Sequence, residues 1–236
     1  MRLLLLFIIV LIMACKSEPK LAVQQEIDKP IIDKPSIEAE KIDSSVDIAN
    51  KKKLKELKPG WVEIIADDFT VVDLRYATEN NFVEEQMYDC GRCYIREEAY
   101  KSLQEIRSEL KDKGYGIILY DCYRPRPIQQ KLWDKVPNAS YVTPPSRGSM
   151  HNRGVALDLG LINADKEILD MGTEFDYFGR EGHHDYYDHS EQVLNNRKSL
   201  KSTMENHNFA SIRTEWWHYS YVVGEYEIAD WRWDCQ

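Results

Sequence analysis

The sequence predicts an α+β fold, with a mostly antiparallel central sheet flanked by helices. Three observations lead there. Short apolar runs of strand length are mixed with amphipathic segments of helical period, without the regular strand–helix–strand rhythm that builds a parallel sheet. The 14 Tyr and 6 Trp lie after residue 60, so an aromatic-rich core belongs there. Residues 16–60 contain no Phe, Tyr or Trp and cannot contribute to it.

The chain opens with Arg2, an unbroken apolar run over residues 3–13, then Ala14 and Cys15. The run is shorter than the about 20 residues a spanning helix needs, and it has the size of a signal-peptide core. A small residue followed by Cys resembles a bacterial lipoprotein signal. Residues 1–14 are therefore expected to be removed and Cys15 to carry acyl chains that insert in a lipid bilayer. That places the protein outside the cytoplasm, on a membrane of the cell envelope. The competing reading is an uncleaved apolar anchor with an incidental Cys. Residues 15–60 are rich in Lys, Glu, Asp, Ser and Pro and contain a small repeat, Ile27-Asp28-Lys29-Pro30 and Ile32-Asp33-Lys34-Pro35. Such a segment buries too little apolar surface to offset its ordering entropy, so it is expected to be a flexible tether. A short helix is expected near residues 51–57.

The folded domain is expected over residues 61–236. Val71, Val72, Leu74 and Tyr76 suggest a first strand. Residues 97–113 form a helix, because Ala99, Leu103, Ile106 and Leu110 share one face and Gly114 ends it. Residues 115–121 form a strand around Ile117-Ile118-Leu119. Pro127 fits the first turn of a helix running to about Val136. Residues 143–148 are loop, 155–161 a strand, 190–205 a helix, and 215–223 a late strand. Apart from Cys15, the cysteines are Cys90, Cys93, Cys122 and Cys235. An even number in an exported chain permits disulfides. At least one is expected, involving Cys90 or Cys93, with free buried thiols the alternative for at least one pair. The net charge of −9 gives no electrostatic reason to bind nucleic acid, which rewards basic patches.

Two segments carry chemistry. One runs Ser149-Met150-His151-Asn152-Arg153-Gly154-Val155-Ala156-Leu157-Asp158, the other Glu215-Trp216-Trp217-His218-Tyr219. Together they offer His nitrogens and carboxylate oxygens, the donors zinc accepts at about 2 Å. Seven extended residues span roughly 23 Å. His151 and Asp158 can share a metal only if the chain folds back between them, and Asn152-Arg153-Gly154 is suitable turn chemistry. Asp158 stands among apolar neighbours and needs a cation, either a metal or an Arg. Glu215 and His218 differ by three positions and would point oppositely on a flat strand, so a loop or bulge must turn both to one site. A lone His among aromatics is otherwise a core histidine. Glu181, His183, His184, Asp185, Asp188 and His189 form a second possible metal cluster, more simply read as a solvated loop.

These two segments resemble the zinc D-alanyl-D-alanine dipeptidases of the vancomycin-resistance type, a fold group shared with murein D,D-carboxypeptidases and the hedgehog signalling domain. Further stretches resemble the dipeptidase branch: Asp73-Leu74-Arg75-Tyr76-Ala77-Thr78 with Asn80-Asn81-Phe82, Asp121-Cys122-Tyr123-Arg124-Pro125, Met171-Gly172-Thr173-Glu174-Phe175-Asp176, and His183-His184-Asp185. The resemblance covers roughly residues 61–236. It implies one zinc ion held by His151, Asp158 and His218. It implies Glu215 as general base toward a zinc-activated water and Arg124 as stabiliser of the oxyanion. It places Tyr76 and Asp176 near the ammonium of a D-Ala-D-Ala substrate, and Ser149 near the dipeptide backbone or carboxylate. The alternatives are a peptidoglycan D,D- or L,D-carboxypeptidase with the same metal site, and a non-catalytic zinc-stabilised binding module. Glu215 and Arg124 speak against the module, since holding a metal requires neither.

Overall fold

The computed structural model describes residues 58–235. The expected signal segment, Cys15, the tether up to residue 57 and the helix near 51–57 lie outside the described residues.

Among the described residues seven strands form, namely β1 (Trp61–Ile64), β2 (Thr70–Val72), β3 (Cys93–Arg96), β4 (Gly116–Asp121), β5 (Ala156–Ile162), β6 (Phe209–Ile212) and β7 (Glu215–Tyr221). β1 and β3 make a two-stranded antiparallel ribbon. The other five make one sheet in the order β2-β4-β5-β7-β6, parallel only between β2 and β4. The expected α+β architecture with a mostly antiparallel sheet is the one observed. β5 lies at the centre and every one of its residues is buried.

Helix α1 (Glu97–Asp112) buries Ala99, Leu103, Ile106 and Leu110, the face its spacing predicts. Each of these larger side chains contributes about 1.5–3 kcal/mol by leaving water. Gly114, at φ +80, ends the helix in a left-handed conformation that favours glycine. Helix α2 (Arg126–Lys135) carries Pro127 in its first turn, as expected. A single turn, α3 (Met150–Arg153), precedes β5. Helix α4 (Glu191–Asn206) is capped by Ser190, whose hydroxyl accepts the Val193 N–H. α1 and α4 pack together, with Lys113 Nζ 2.9 Å from Thr203 Oγ1 and His207 Nε2 2.8 Å from Glu109. Leu200 and Met204 of α4 join Leu103, Ile106, Leu157, Leu159, Tyr219 and Tyr221 in the main core. Side chains alternate along a strand. Leu157, Leu159 and Tyr219 thus serve the helix side of the sheet, and Asp158 and His218 the other.

The expected first strand ends early. β2 stops at Val72, and Arg75–Ala77 forms a 3₁₀ turn instead of continuing through Leu74 and Tyr76. The Tyr76 carbonyl accepts the N–H groups of Met87 and Tyr88, so a folded-back loop replaces the strand ladder there. β1, β3 and β6 have four residues each, too few for a period to register in the sequence. The Cys90/Cys93 pair is split between two bridges, Cys90–Cys235 and Cys93–Cys122.

Candidate active site

The metal-type residues meet because three neighbouring strands bring them into one row of paired positions. Asp158 of β5 pairs with His218 of β7 on one side and Asp121 of β4 on the other. Irregular register between Leu119 and Asp121 sets the β4 side of that row. A second irregularity, between Ser211 and Ile212, leaves Glu215 opposite Ile212. That is the bulge needed for Glu215 and His218 to face one cavity despite their spacing of three.

His151 arrives from α3. Ser149 caps this turn, accepting the Asn152 N–H, while the Asn152 side chain accepts the Ser149 N–H at 2.7 Å. Gly154 then reverses the chain at φ +72, and a Cβ there would stand 2.2 Å from the Trp61 ring. Both its conformation and this close approach require glycine. The fold-back expected between His151 and Asp158 is thus a helical turn closed by a left-handed glycine.

His151 Nε2 lies 3.2 Å from His218 Nδ1 and 3.3 Å from Asp158 Oδ1, and His218 Nδ1 lies 2.9 Å from Asp158 Oδ1. Donors bound tetrahedrally at about 2.0–2.2 Å stand roughly 3.3–3.5 Å apart, so the set fits zinc with little adjustment. The ring orientations agree. His151 Nδ1 must donate to the Cys122 carbonyl at 2.7 Å, which frees Nε2 as an acceptor. His218 Nε2 meets the Ser220 hydroxyl at 3.0 Å, which leaves Nδ1 facing the cluster. Burial opposes the Asp158 charge, but His151 and His218 outweigh it and hold the carboxyl far below its ordinary pKa.

These three residues line a cavity of about 480 Å³ together with Glu215, Arg124, Ser149, Tyr76 and Asp176, so all eight expected site residues within the described chain converge. Burial pushes the Glu215 pKa up. Asp176 is raised well above its ordinary value, first by burial and then by Asp158. It sits at φ +61, an uncommon conformation for a side-chain-bearing residue, and accepts the Tyr76 hydroxyl at 2.8 Å.

Several contributors had no reading of their own in the sequence analysis. Asp121 is fully buried and takes Arg124 Nε at 2.9 Å and Nη2 at 2.6 Å, while Tyr88 donates to its other oxygen at 2.8 Å. Burial disfavours the guanidinium charge, but Asp121 raises the Arg124 pKa well above its ordinary value. Gln129 is also buried, accepting from Arg124 Nη1 at 3.0 Å and donating to the Thr143 carbonyl at 2.7 Å. An acid three residues before Arg124 at the end of an apolar strand was the available signal for Asp121. Ser149 proves to be a helix cap as well as a cavity residue.

The second His- and acid-rich stretch does not converge. Among the described residues, His151, Asp158 and His218 form the one group of three with metal-holding proximity. Arg213 engages His183 at 3.1 Å and Asp185 at 3.3 Å, and His189 Nε2 lies 2.9 Å from the Glu181 carbonyl.

Residues 55–227 match the M15 peptidase family model, described as D-Ala-D-Ala dipeptidase. The D-alanyl-D-alanine dipeptidase of Escherichia coli K12 is 33% identical over 148 residues, which cover 63% of this chain and 77% of that protein. That of Enterococcus faecium is 32% identical over 168 residues, covering 62% and 83%. That of Enterococcus faecalis is 29% identical over 175 residues, covering 65% and 87%. Among solved structures, an LD-carboxypeptidase is similar at 17% identity with a TM-score of 0.41, over 70% of this chain and 69% of that one. A vancomycin-resistance D,D-pentapeptidase in complex with Zn(II) is similar at 17% identity with a TM-score of 0.37, over 55% and 73%.

Proposed function

The chain belongs to the M15 peptidase family of D-Ala-D-Ala dipeptidases, and on that premise we propose that its cavity hydrolyses the D-alanyl-D-alanine dipeptide with one zinc ion held by His151, Asp158 and His218. The carrying observation is the convergence of three metal donors with a half-buried carboxylate outside the donor set, Glu215, in one cavity.

Zinc, when bound, supplies Lewis acidity that polarises a carbonyl and lowers the pKa of water to about 7. Glu215 takes the proton of the attacking water and delivers it to the leaving amine. A carboxylate can serve both transfers. Arg124 is fixed by Asp121 and Gln129 before substrate arrives, so it can meet the developing oxyanion without reorganisation. The Cys122 carbonyl holds the His151 ring in its acceptor tautomer. Asp176 and Tyr76 receive the substrate ammonium, which sets a positive charge beside the half-buried carboxyl. Ser149 borders the other end of the dipeptide.

Glu215→Gln should retain zinc and lose about 10²–10⁴-fold in turnover. Arg124→Ala should retain zinc and lose about 10²–10³-fold. A folded, zinc-loaded Glu215→Gln protein with near-normal hydrolysis of D-Ala-D-Ala would overturn this mechanism. Offering dipeptide and pentapeptide side by side separates it from a carboxypeptidase.

We further propose that the enzyme works outside the cytoplasm, anchored through acylated Cys15, in recycling wall peptides rather than in glycopeptide resistance. Two features support this: the apolar run ending at Ala14-Cys15, and two disulfides of the kind that persist in oxidising compartments. Cytoplasmic precursor dipeptide would be out of reach from there. Acyl labelling of the full chain should vanish in Cys15→Ser, and unchanged labelling rules out lipidation at this site.

A further inference from the structure

Residues 224–235 form no helix or strand, yet they are fastened to the domain at several points. Ala229 N–H donates to the Asn152 carbonyl at 2.8 Å. Arg153 Nη1 reaches the Tyr226 carbonyl at 2.6 Å, and Tyr123 donates its hydroxyl to the Trp231 carbonyl at 2.9 Å. Trp231 stacks on Tyr123 with centroids 5.0 Å apart, and Trp233 packs on Tyr88 at 5.4 Å. Cys235 is bonded to Cys90. Ile228 fills the space beside Gly148, where a Cβ would lie 2.3 Å from Ile228 Cδ1. The match to the family model ends at residue 227, so most of this strap lies beyond it.

We propose that this strap is a positioning element for the metal site, acting through Asn152 and Asp121. Asn152 is fully buried next to His151. Its carbonyl takes the strap, its Nδ2 donates to the Arg124 carbonyl at 2.7 Å, and its Oδ1 accepts the Ser149 N–H. The strap is thereby one bond removed from the backbone on either side of His151 and from that of Arg124. The second route runs from Trp233 to Tyr88, whose hydroxyl holds Asp121, the partner of the Arg124 guanidinium. Among the described residues, those of the strap do not line the metal cavity. The Cys90–Cys235 bridge closes the arrangement by fixing the far end of the strap to the loop that precedes β3.

This inference rests on zinc binding at His151, Asp158 and His218, and its test reads the metal directly. The variants are Ile228→Ala, Ala229→Pro, which deletes the N–H donated to Asn152, and the double change Cys90→Ser with Cys235→Ser. Zinc release to a chelator, kcat, KM and Tm are measured on each full-length protein. Outer-shell partners of metal ligands typically change metal affinity or activity by about 10–100-fold. Zinc release should accelerate by at least about tenfold and kcat should fall, with KM little changed. Leu110→Ala, in the core on the helix side, is the comparison: it should lower Tm without changing zinc release. Strap variants that lower Tm but keep wild-type zinc release and kcat would reduce the strap to a general clamp and overturn the proposal. Should Ala229→Pro fail to fold, Ile228→Ala still decides. A wild-type protein that holds zinc without cleaving the dipeptide would fail the proposed function, whereas unchanged zinc release in the variants would fail the strap alone.

Discussion

Two parts of this chain offer similar side chains to a metal, and only one arranges them for it. Residues 151–158 with 215–218 supply two His and two acids; residues 181–189 supply three His and three. The richer stretch is the one that does not converge. In the first, each donor is placed by a different strand or by the capped turn before one, and pairing Asp158 with His218 aligns them to within hydrogen-bonding distances. In the second, the donors follow one another along a loop, where Arg213 engages His183 and Asp185 and the Glu181 carbonyl engages His189. Placement by strands remote in sequence but paired in the sheet, rather than density of ligand-type residues, makes the site.

The comparison breaks most readily at the metal. Replacing His151, Asp158 or His218 by Ala should lower zinc affinity by more than about 100-fold, the upper end of what outer-shell changes do. Replacing His183 and His189 together by Ala should leave zinc affinity unchanged. Metal content by mass spectrometry and chelator competition read both. A loss of zinc in the His183/His189 variant would assign the metal to the wrong region.

The large elements were legible in the sequence because their signals are local. The face of α1, the apolar runs of β4 and β5 and the glycine after α1 can all be read within a few residues. The site residues were legible through their spacing and the resemblance it carries. What was not legible depends on partners remote in sequence. β1 and β3 exist because they pair with each other, and their bond register cannot be seen in four residues. Asp121 looks like a strand end until Tyr88, Arg124 and the β4 irregularity are in place. The Cys90/Cys93 spacing resembles a local pair, yet β3 begins at Cys93 and directs it to Cys122.

A smaller effect separates function from stability inside the first region. The folded-state pKa of Asp176 is raised, so its carboxyl favours folding at low pH, and that contribution is lost as pH rises through the raised value. Asp176→Asn removes the buried charge, keeps an oxygen for the Tyr76 hydroxyl, and tolerates the positive φ. Its Tm at pH 8 should rise, by about 2–4 °C for each kcal/mol gained. KM for the dipeptide should also rise, roughly 10- to 100-fold, through loss of a charge-assisted hydrogen bond to the ammonium. A variant with unchanged KM would remove Asp176 from substrate recognition.

The smallest effect belongs to the second region, where His184 has a structural use for its chemistry. Its backbone N–H donates to the Arg213 carbonyl at 2.8 Å, and its Nε2 is buried without a hydrogen-bond partner among the described residues. Burial, with Lys201 and Arg197 nearby, lowers its pKa from 6.5 to about 4. Between those values the unfolded chain binds the proton and the folded chain refuses it. Stability contributed by the neutral ring is therefore present above pH 6.5 and drains away as pH falls toward 4. His184→Phe keeps a ring of similar shape and cannot be protonated. The variant should match the wild type in zinc content and turnover, and its Tm should fall less between pH 7 and pH 5. Parallel Tm curves for the two proteins across that window would remove His184 as the source of acid sensitivity. A loss of zinc in His184→Phe would instead tie this loop to the metal after all, and would dissolve the contrast between the two regions.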